Sequence, residues 1–187
     1  MAVMARREIV PSSVLGMLLL AASELMFFAG LFSAYTISRA GAAKGTWSIP
    51  TAPLLPVAAT AVNTAALLAS GVLVFVAYRQ YGRRSPSAPR TLGVGWTLGA
   101  MFVVLQGREW IGLLGQGLTI YSGGLGAFFY LIVGIHAAHA LAALVGLGIA
   151  YWRMTRGTLT VSFFLGAQTF WYFVVGLWPV IYGRVYF

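Results

Sequence analysis

Five long apolar segments alternate with short polar ones along the 187-residue chain. Each segment is longer than the roughly 20 residues that cross the hydrocarbon core of a bilayer. The pattern therefore predicts an all-α, polytopic membrane protein, folded as a single membrane domain over residues 1–187. The five transmembrane helices of the predicted bundle cover residues 14–38, 54–78, 91–114, 125–152 and 160–182.

The composition supports a membrane protein and excludes several kinds of site. The chain is 60% hydrophobic and 8% charged, whereas a soluble domain carries about 25% charged residues. It has no cysteine, which excludes disulfides, thiolate chemistry and iron–sulfur clusters. The net charge is +9, but the basic residues lie between apolar segments, where they orient a chain in the membrane. We therefore predict no nucleic-acid partner.

The basic residues are distributed unevenly between the two ends of the predicted bundle. One end has three, namely Arg39, Lys44 and Arg184. The other end has eight, namely Arg6, Arg7, Arg79, Arg83, Arg84, Arg90, Arg153 and Arg156. Because basic loops stay in the cytoplasm, the asymmetry predicts a cytoplasmic N-terminus and an external C-terminus.

One carboxyl group, that of Glu24, lies near the middle of the first segment. A charge at the bilayer centre costs about 2.5–3.5 kcal/mol even on lenient scales, so Glu24 should face other helices. With a rise of about 1.5 Å per residue, five side chains share the middle of the membrane and are predicted to form a buried polar layer. They are Glu24, Asn63, His136, His139 and Gln168. Desolvation disfavours the charged form of a carboxyl group, so we expect a protonated Glu24 bonded to a histidine or to Asn63.

Glu109 is predicted to form a second acidic site, close to the outer end of the third helix and beside Arg108. Neighbouring positions on a helix do not face each other. We therefore expect a cross-helix partner for Glu109, or a side chain that reaches the interface, in preference to a pair with Arg108.

The polar layer allows several functions. His136 and His139 could bind a metal, but a catalytic metal needs at least three protein ligands, so Glu24 would have to be the third. The alternative is a pair of core histidines with hydrogen-bonded partners. Glu24 itself is either a proton relay or a polar clasp between helices. We predict no catalytic residue and no metal in this chain. The candidates for contact with lipid headgroups are the loop residues Arg79, Arg83 and Arg84.

Six segments, in chain order, resemble the motifs of subunit III of the haem-copper (cytochrome c) oxidases. The first resembles the signature of the family's first conserved helix, acid included. The six are Ser23–Phe32, Trp47 with Pro50, Asn63-Thr64 through Ser70-Gly71, Gln106–Trp110, Gly134–His139, and Trp171–Phe173 with Trp178.

The chain also departs from the family pattern. Tyr172 occupies a position where the family usually has histidine, Val175 one where it has aspartate, and Ala137 replaces a glycine. Members with seven helices have two further N-terminal helices, whereas five-helix bacterial members resemble this chain more closely. These departures leave open a divergent branch, such as the subunit-III-like proteins associated with nitric oxide reductases.

The resemblance implies an accessory, non-catalytic subunit of an oxygen-reducing, proton-translocating enzyme of aerobic respiration. Such a subunit has no cofactor of its own, binds structural phospholipid, and packs on catalytic subunit I and the other oxidase subunits, where the haem and copper are expected. It supports proton uptake and sustained turnover. The implied location is the bacterial cytoplasmic (inner) membrane. A small proton-coupled transporter, or a purely structural or assembly subunit, remains an alternative.

Overall fold

A computed structural model describes residues 12–43, 47 and 57–185. This part of the chain is entirely helical apart from its turns and contains no strand. The helices are α1 (Ser12–Gly41), α2 (Val57–Gly82), α3 (Ala88–Gly115), α4 (Gly123–Thr155) and α5 (Val161–Val185). All five are long and apolar enough to cross a membrane. The predicted all-helical fold with five spans is confirmed, and the chain is a multi-pass membrane protein.

The helices extend a few residues past several of the predicted boundaries. The predictions followed the apolar stretch, whereas a helix continues into the polar interface as long as its backbone bonds persist. Residues 54–56, where the second helix was predicted to begin, lie outside the described residues. So do Arg6, Arg7 and Lys44, which contribute to the predicted orientation.

Helix α5 is central to the bundle and α1 is peripheral. Among the described helices, the backbone of α5 lies next to those of α1, α2 and α4, whereas the backbone of α1 lies next to those of α4 and α5 only. In the most apolar stretch of each helix, 6% of the residues of α1 are buried within the chain, whereas 50% of the residues of α5 are buried. The core is therefore formed by α2, α3, α4 and α5, and α1 lies against the α4–α5 side.

Glycines set the distance between helices where large side chains meet the neighbouring backbone. Trp171 of α5 is completely buried. A Cβ atom at Gly99 of α3 would lie 2.6 Å from Cζ2 of this indole. Similarly, a Cβ atom at Gly71 of α2 would lie 3.2 Å from Cγ1 of Val175. Since small residues permit such close approach in membranes, α5 packs on α2 at Gly71, and the long Trp171 side chain reaches the backbone of α3 at Gly99.

Side-chain hydrogen bonds connect the helices at several depths. The Trp178 indole N–H donates to Oγ1 of Thr64 over 2.8 Å, which joins α5 to α2. The Trp96 indole N–H donates to the Leu144 carbonyl over 2.9 Å, which joins α3 to α4. Hydrocarbon offers no competing partner, so these bonds fix the rotation of each helix as well as its position.

Trp47, which follows α1, packs between α1 and α4. Its ring centroid lies 5.6 Å from that of Tyr35 and 6.2 Å from that of Phe128. This aromatic contact joins the C-terminal half of α1 to the first turns of α4.

The predicted orientation can be tested by labelling two loops with cysteine, since the chain has none of its own. Ser87→Cys lies in the short α2–α3 turn, and Tyr121→Cys lies in the α3–α4 loop, where the native side chain is 93% exposed. In intact cells, a membrane-impermeant maleimide should label the second variant and leave the first unlabelled until the membrane is opened. Labelling of Ser87→Cys from outside would show that the orientation is the reverse of the predicted one.

Gly99→Ala should destabilise the bundle by about 1–3 kcal/mol, the usual cost of overpacking a core. The added methyl group would overlap the Trp171 ring, which is enclosed and cannot move away. Gly112→Ala on the same helix is the matched control, because a Cβ atom there meets no atom within 4 Å. Thermal unfolding of the two purified variants in one detergent measures the difference. Equal unfolding temperatures would show that α5 does not depend on this close approach.

Candidate functional site

Glu24 of α1 and His139 of α4 form an ion-pair contact in which Oε2 of the carboxyl group lies 3.2 Å from Nε2 of the ring. The two side chains are 23% and 19% exposed, respectively. The other ring nitrogen of His139, Nδ1, lies 2.8 Å from the Ile135 carbonyl oxygen, one turn earlier on α4. This contact is the only ion pair among the described residues.

The Ile135 carbonyl determines how the protons are arranged in this pair. A carbonyl oxygen can only accept a hydrogen bond, so Nδ1 of His139 carries a hydrogen. One further proton then lies between Nε2 and the carboxyl group. If it is on Glu24, both groups are neutral, and if it is on His139, they form a glutamate–imidazolium pair. In either arrangement the proton forms a hydrogen bond between α1 and α4.

His136 lies one turn before His139 but in a different environment. It is 1% exposed, and its ring stacks on Trp178 with centroids 5.3 Å apart and an interplanar angle of 30°. Neither of its ring nitrogens has a hydrogen-bond partner within the described residues. The two histidines that the sequence groups together therefore differ: His139 binds Glu24, and His136 packs among aromatic rings.

A second polar cluster joins α2 to α3 around Glu109. Oε2 of Glu109 accepts a hydrogen bond from the Thr60 hydroxyl over 2.9 Å and another from Nε2 of Gln106 over 2.9 Å. Nδ2 of Asn63 donates to the Phe102 carbonyl over 3.2 Å and lies 3.5 Å from Oε1 of Gln106. Glu109 thus has its partner across the helix interface, on α2, rather than in the adjacent Arg108.

The structure therefore divides the predicted polar layer into separate parts. Asn63 belongs to the Glu109 cluster and does not contact Glu24. Gln168 is buried on α5, and its Oε1 has no partner within the described residues. Thr60 and Gln106 were not included in the predicted layer. The signal for them was helical spacing, since Thr60 and Asn63, like Gln106 and Glu109, are three residues apart and share a face.

The candidate lipid-binding arginines lie at the α2–α3 turn. The Arg79 guanidinium lies over the Phe75 ring, 5.9 Å from its centroid, and Arg83 and Arg84 are exposed. The nearest large groove, of about 700 Å³, runs between α3 and α4 and is lined at its end by Arg90. Its floor includes Gly93 and Gly148, where a Cβ atom would lie 3.2–3.3 Å from the side chains of Tyr151 and Trp96. None of the three candidates lines this groove.

No group of three or more histidine, cysteine, aspartate or glutamate side chains in the described part of the chain could hold a metal ion. Five helices long and apolar enough to cross a membrane, with a carboxyl–imidazole contact between two of them, define a class: multi-pass membrane proteins with a polar contact inside the helix bundle.

Comparison with known proteins identifies the family within this class. The family model "Cytochrome c oxidase subunit III" matches residues 7–187. A cytochrome c oxidase subunit 3 of Corynebacterium diphtheriae is 34% identical over 182 residues, covering 92% of this chain and 86% of the relative. A probable cytochrome c oxidase subunit 3 of Nocardia farcinica is 32% identical, with the same coverage of each chain. The subunit 3 of Lemur catta is also 32% identical, over 91% of this chain and 64% of the relative. The chain belongs to the cytochrome c oxidase subunit III family.

Thr60→Val should weaken the α2–α3 contact by about 1 kcal/mol, the net value of a typical hydrogen bond, because Glu109 loses the donor from α2. The matched control is Thr97→Val, since the exposed Thr97 hydroxyl donates to the Gly93 carbonyl of its own helix. That change should stay within about 0.5 kcal/mol. Thermal unfolding of both variants in detergent tests the difference. If Thr97→Val is as damaging as Thr60→Val, the Glu109 contact does not stabilise the helix pair.

Proposed function

We propose that this chain is the accessory subunit III of a cytochrome c oxidase of aerobic respiration, located in a bacterial cytoplasmic membrane. It packs on the catalytic subunit and other oxidase subunits, which hold the haem and copper. It contributes no cofactor, binds phospholipid, and supports proton uptake and sustained turnover. Membership of the family supports this proposal.

The observation that carries the proposal is the way Glu24 holds α1. This helix exposes most of its surface, as expected of a helix whose remaining neighbours are lipid and other subunits. Among the described residues, its polar attachment to α4 is the contact with His139, and the ring of Phe28 lies 5.9 Å from the same imidazole. A clasp at this position controls where the exposed face of α1 stands, and so whether partner subunits can pack against it.

The groove lined by Arg90 is the proposed site for phospholipid on the side of the α2–α3 turn. Its walls are mostly apolar and its single charged lining residue is basic. An acyl chain would lie along Gly93 and Thr97, and the guanidinium of Arg90 would meet the phosphate of the headgroup. Arg83 and Arg84 lie in the preceding turn and add positive charge near the headgroup level.

Two variants of Glu24 separate a clasp from a proton relay. Glu24→Gln can still donate a hydrogen bond to Nε2 of His139, so the oxidase should assemble and keep nearly its full initial rate. Glu24→Ala leaves the imidazole without its partner, at a cost of about 1–3 kcal/mol. That variant should loosen the subunit and speed inactivation during turnover. The measurements are subunit retention, initial rate of oxygen reduction, and loss of activity with time.

Ser23→Ala is the matched control, because the exposed Ser23 hydroxyl donates only to the Leu20 carbonyl of its own helix. It should behave as the unmodified oxidase in all three measurements. An immediate large loss of rate in a fully assembled Glu24→Gln oxidase would show that Glu24 relays protons, and would overturn the accessory role. Purification of the chain without a haem protein would reject the oxidase assignment itself.

A further inference from the structure

A second groove, of about 400 Å³, lies between α2 and α3 at the end of the bundle where α2 begins and α3 ends. Its walls include the apolar side chains of Val62, Met101 and Leu105, and its rim carries both charges of the adjacent pair Arg108 and Glu109. The groove lined by Arg90, in contrast, has a basic residue and no acidic one. The two grooves therefore offer different electrostatic environments to a ligand.

The spacing of charges along α3 places this rim at the boundary of the hydrocarbon core. Arg90 and Arg108 are 18 residues apart on one continuous helix, which corresponds to about 27 Å at 1.5 Å per residue. The hydrocarbon core of a bilayer is about 30 Å thick. With Arg90 at one headgroup level, Arg108 and Glu109 lie at the other, where ester and phosphate groups begin.

The carboxyl group of Glu109 is fixed in place by the cluster described above. Its Oε2 accepts hydrogen bonds from Thr60 and Gln106, so this oxygen is occupied, whereas Oε1 has no hydrogen bond within the described residues. The Arg108 side chain is exposed and forms no ion pair with Glu109. Two opposite charges thus border one groove without neutralising each other.

We propose that this groove binds a phospholipid with a primary-amine headgroup, of the phosphatidylethanolamine type. Its ammonium group would donate to Oε1 of Glu109, its phosphate would meet the guanidinium of Arg108, and an acyl chain would lie along Val62, Met101 and Leu105. One such molecule carries both required charges. An anionic phospholipid satisfies Arg108 alone and places negative charge beside Glu109. A choline headgroup has the positive charge but no N–H to donate.

This inference rests on the proposed lipid-binding role and adds a second site, a headgroup class and the residues that select it. The test uses the whole oxidase complex in nanodiscs, with phospholipids that carry a photoreactive diazirine in the acyl chain. Three matched probes differ only in the headgroup, which is ethanolamine, choline or glycerol. After irradiation, crosslinked peptides are mapped by mass spectrometry to the segments that contain Val62, Met101 and Leu105.

The ethanolamine probe should label these segments about tenfold more than the choline or glycerol probe, since one charge-assisted hydrogen bond corresponds to roughly that factor. Glu109→Gln keeps an acceptor for Thr60 but loses the charge, and it should abolish this selectivity. Arg108→Gln changes an exposed side chain that has no partner within the described residues, so it should fold normally and reduce labelling by all three probes. Arg90→Gln, the matched arginine at the other end of α3, should leave labelling of this groove unchanged.

Equal labelling by the three probes, or unchanged selectivity in Glu109→Gln, would show that the groove takes any acyl chain and would overturn the proposal. Labelling that appears only after the subunits are separated would show that a partner subunit covers the groove, which also overturns it. Neither result affects the proposed accessory role, which is decided by co-purification with the oxidase and by the Glu24 variants.

Discussion

The absence of hydrogen-bonding solvent inside the bilayer is the constraint on which the arrangement of this bundle depends. A polar group there must find its partner within protein. For the carboxyl group of Glu24, the free-energy cost of lacking a partner would be especially large. Its contact with Nε2 of His139 works only because the Ile135 carbonyl holds Nδ1 and so fixes the tautomer. One helix backbone therefore orients the imidazole, and the imidazole positions a second helix. These contacts form the polar part of the attachment of α1 to α4, and the aromatic contact of Tyr35 with Phe128 forms another part.

The core helices meet a different requirement, because lipid is as apolar as their side chains and burial alone does not hold them together. Close packing replaces it. Gly99 and Gly71 let Trp171 and Val175 reach the backbones of α3 and α2, and indole N–H groups then bond across the helices. Val175 occupies a position where the family pattern has aspartate. Its apolar contact with Gly71 shows that this position serves packing in the present chain.

The two polar clusters divide the structural roles between them. The Glu24–His139 pair fixes the peripheral helix, and the Glu109 cluster joins α2 to α3 within the core. Each cluster leaves part of its surface facing outward, towards lipid or other subunits. Two grooves lie on α3, one near Arg90 and one near Arg108. The distance between these two arginines along the helix, about 27 Å, is close to the thickness of the hydrocarbon core, about 30 Å.

The sequence by itself determined that the chain is all-helical with five spans, and it allowed a depth to be estimated for each polar group. Hydropathy and helical rise depend only on residue order and on the thickness of the bilayer, so these features need no knowledge of neighbouring helices. The depths estimated for Glu24 and His139 are also similar enough for the two side chains to reach each other. For Glu109, the rule that adjacent helix positions do not face each other predicted either a cross-helix partner or a side chain that reaches the interface, in preference to a pair with Arg108.

Only the tertiary structure decided which groups of similar depth meet. Asn63 lies near the depth of Glu24, yet α2 does not contact α1, so Asn63 joins Gln106 instead. His136 and His139 share a helix and a spacing, yet one stacks on Trp178 and the other binds Glu24. Depth is a single coordinate, whereas contact also requires that the helices be neighbours and be rotated towards each other. Those two quantities arise from packing between residues far apart in the chain, such as Gly99 with Trp171, and no local pattern contains them.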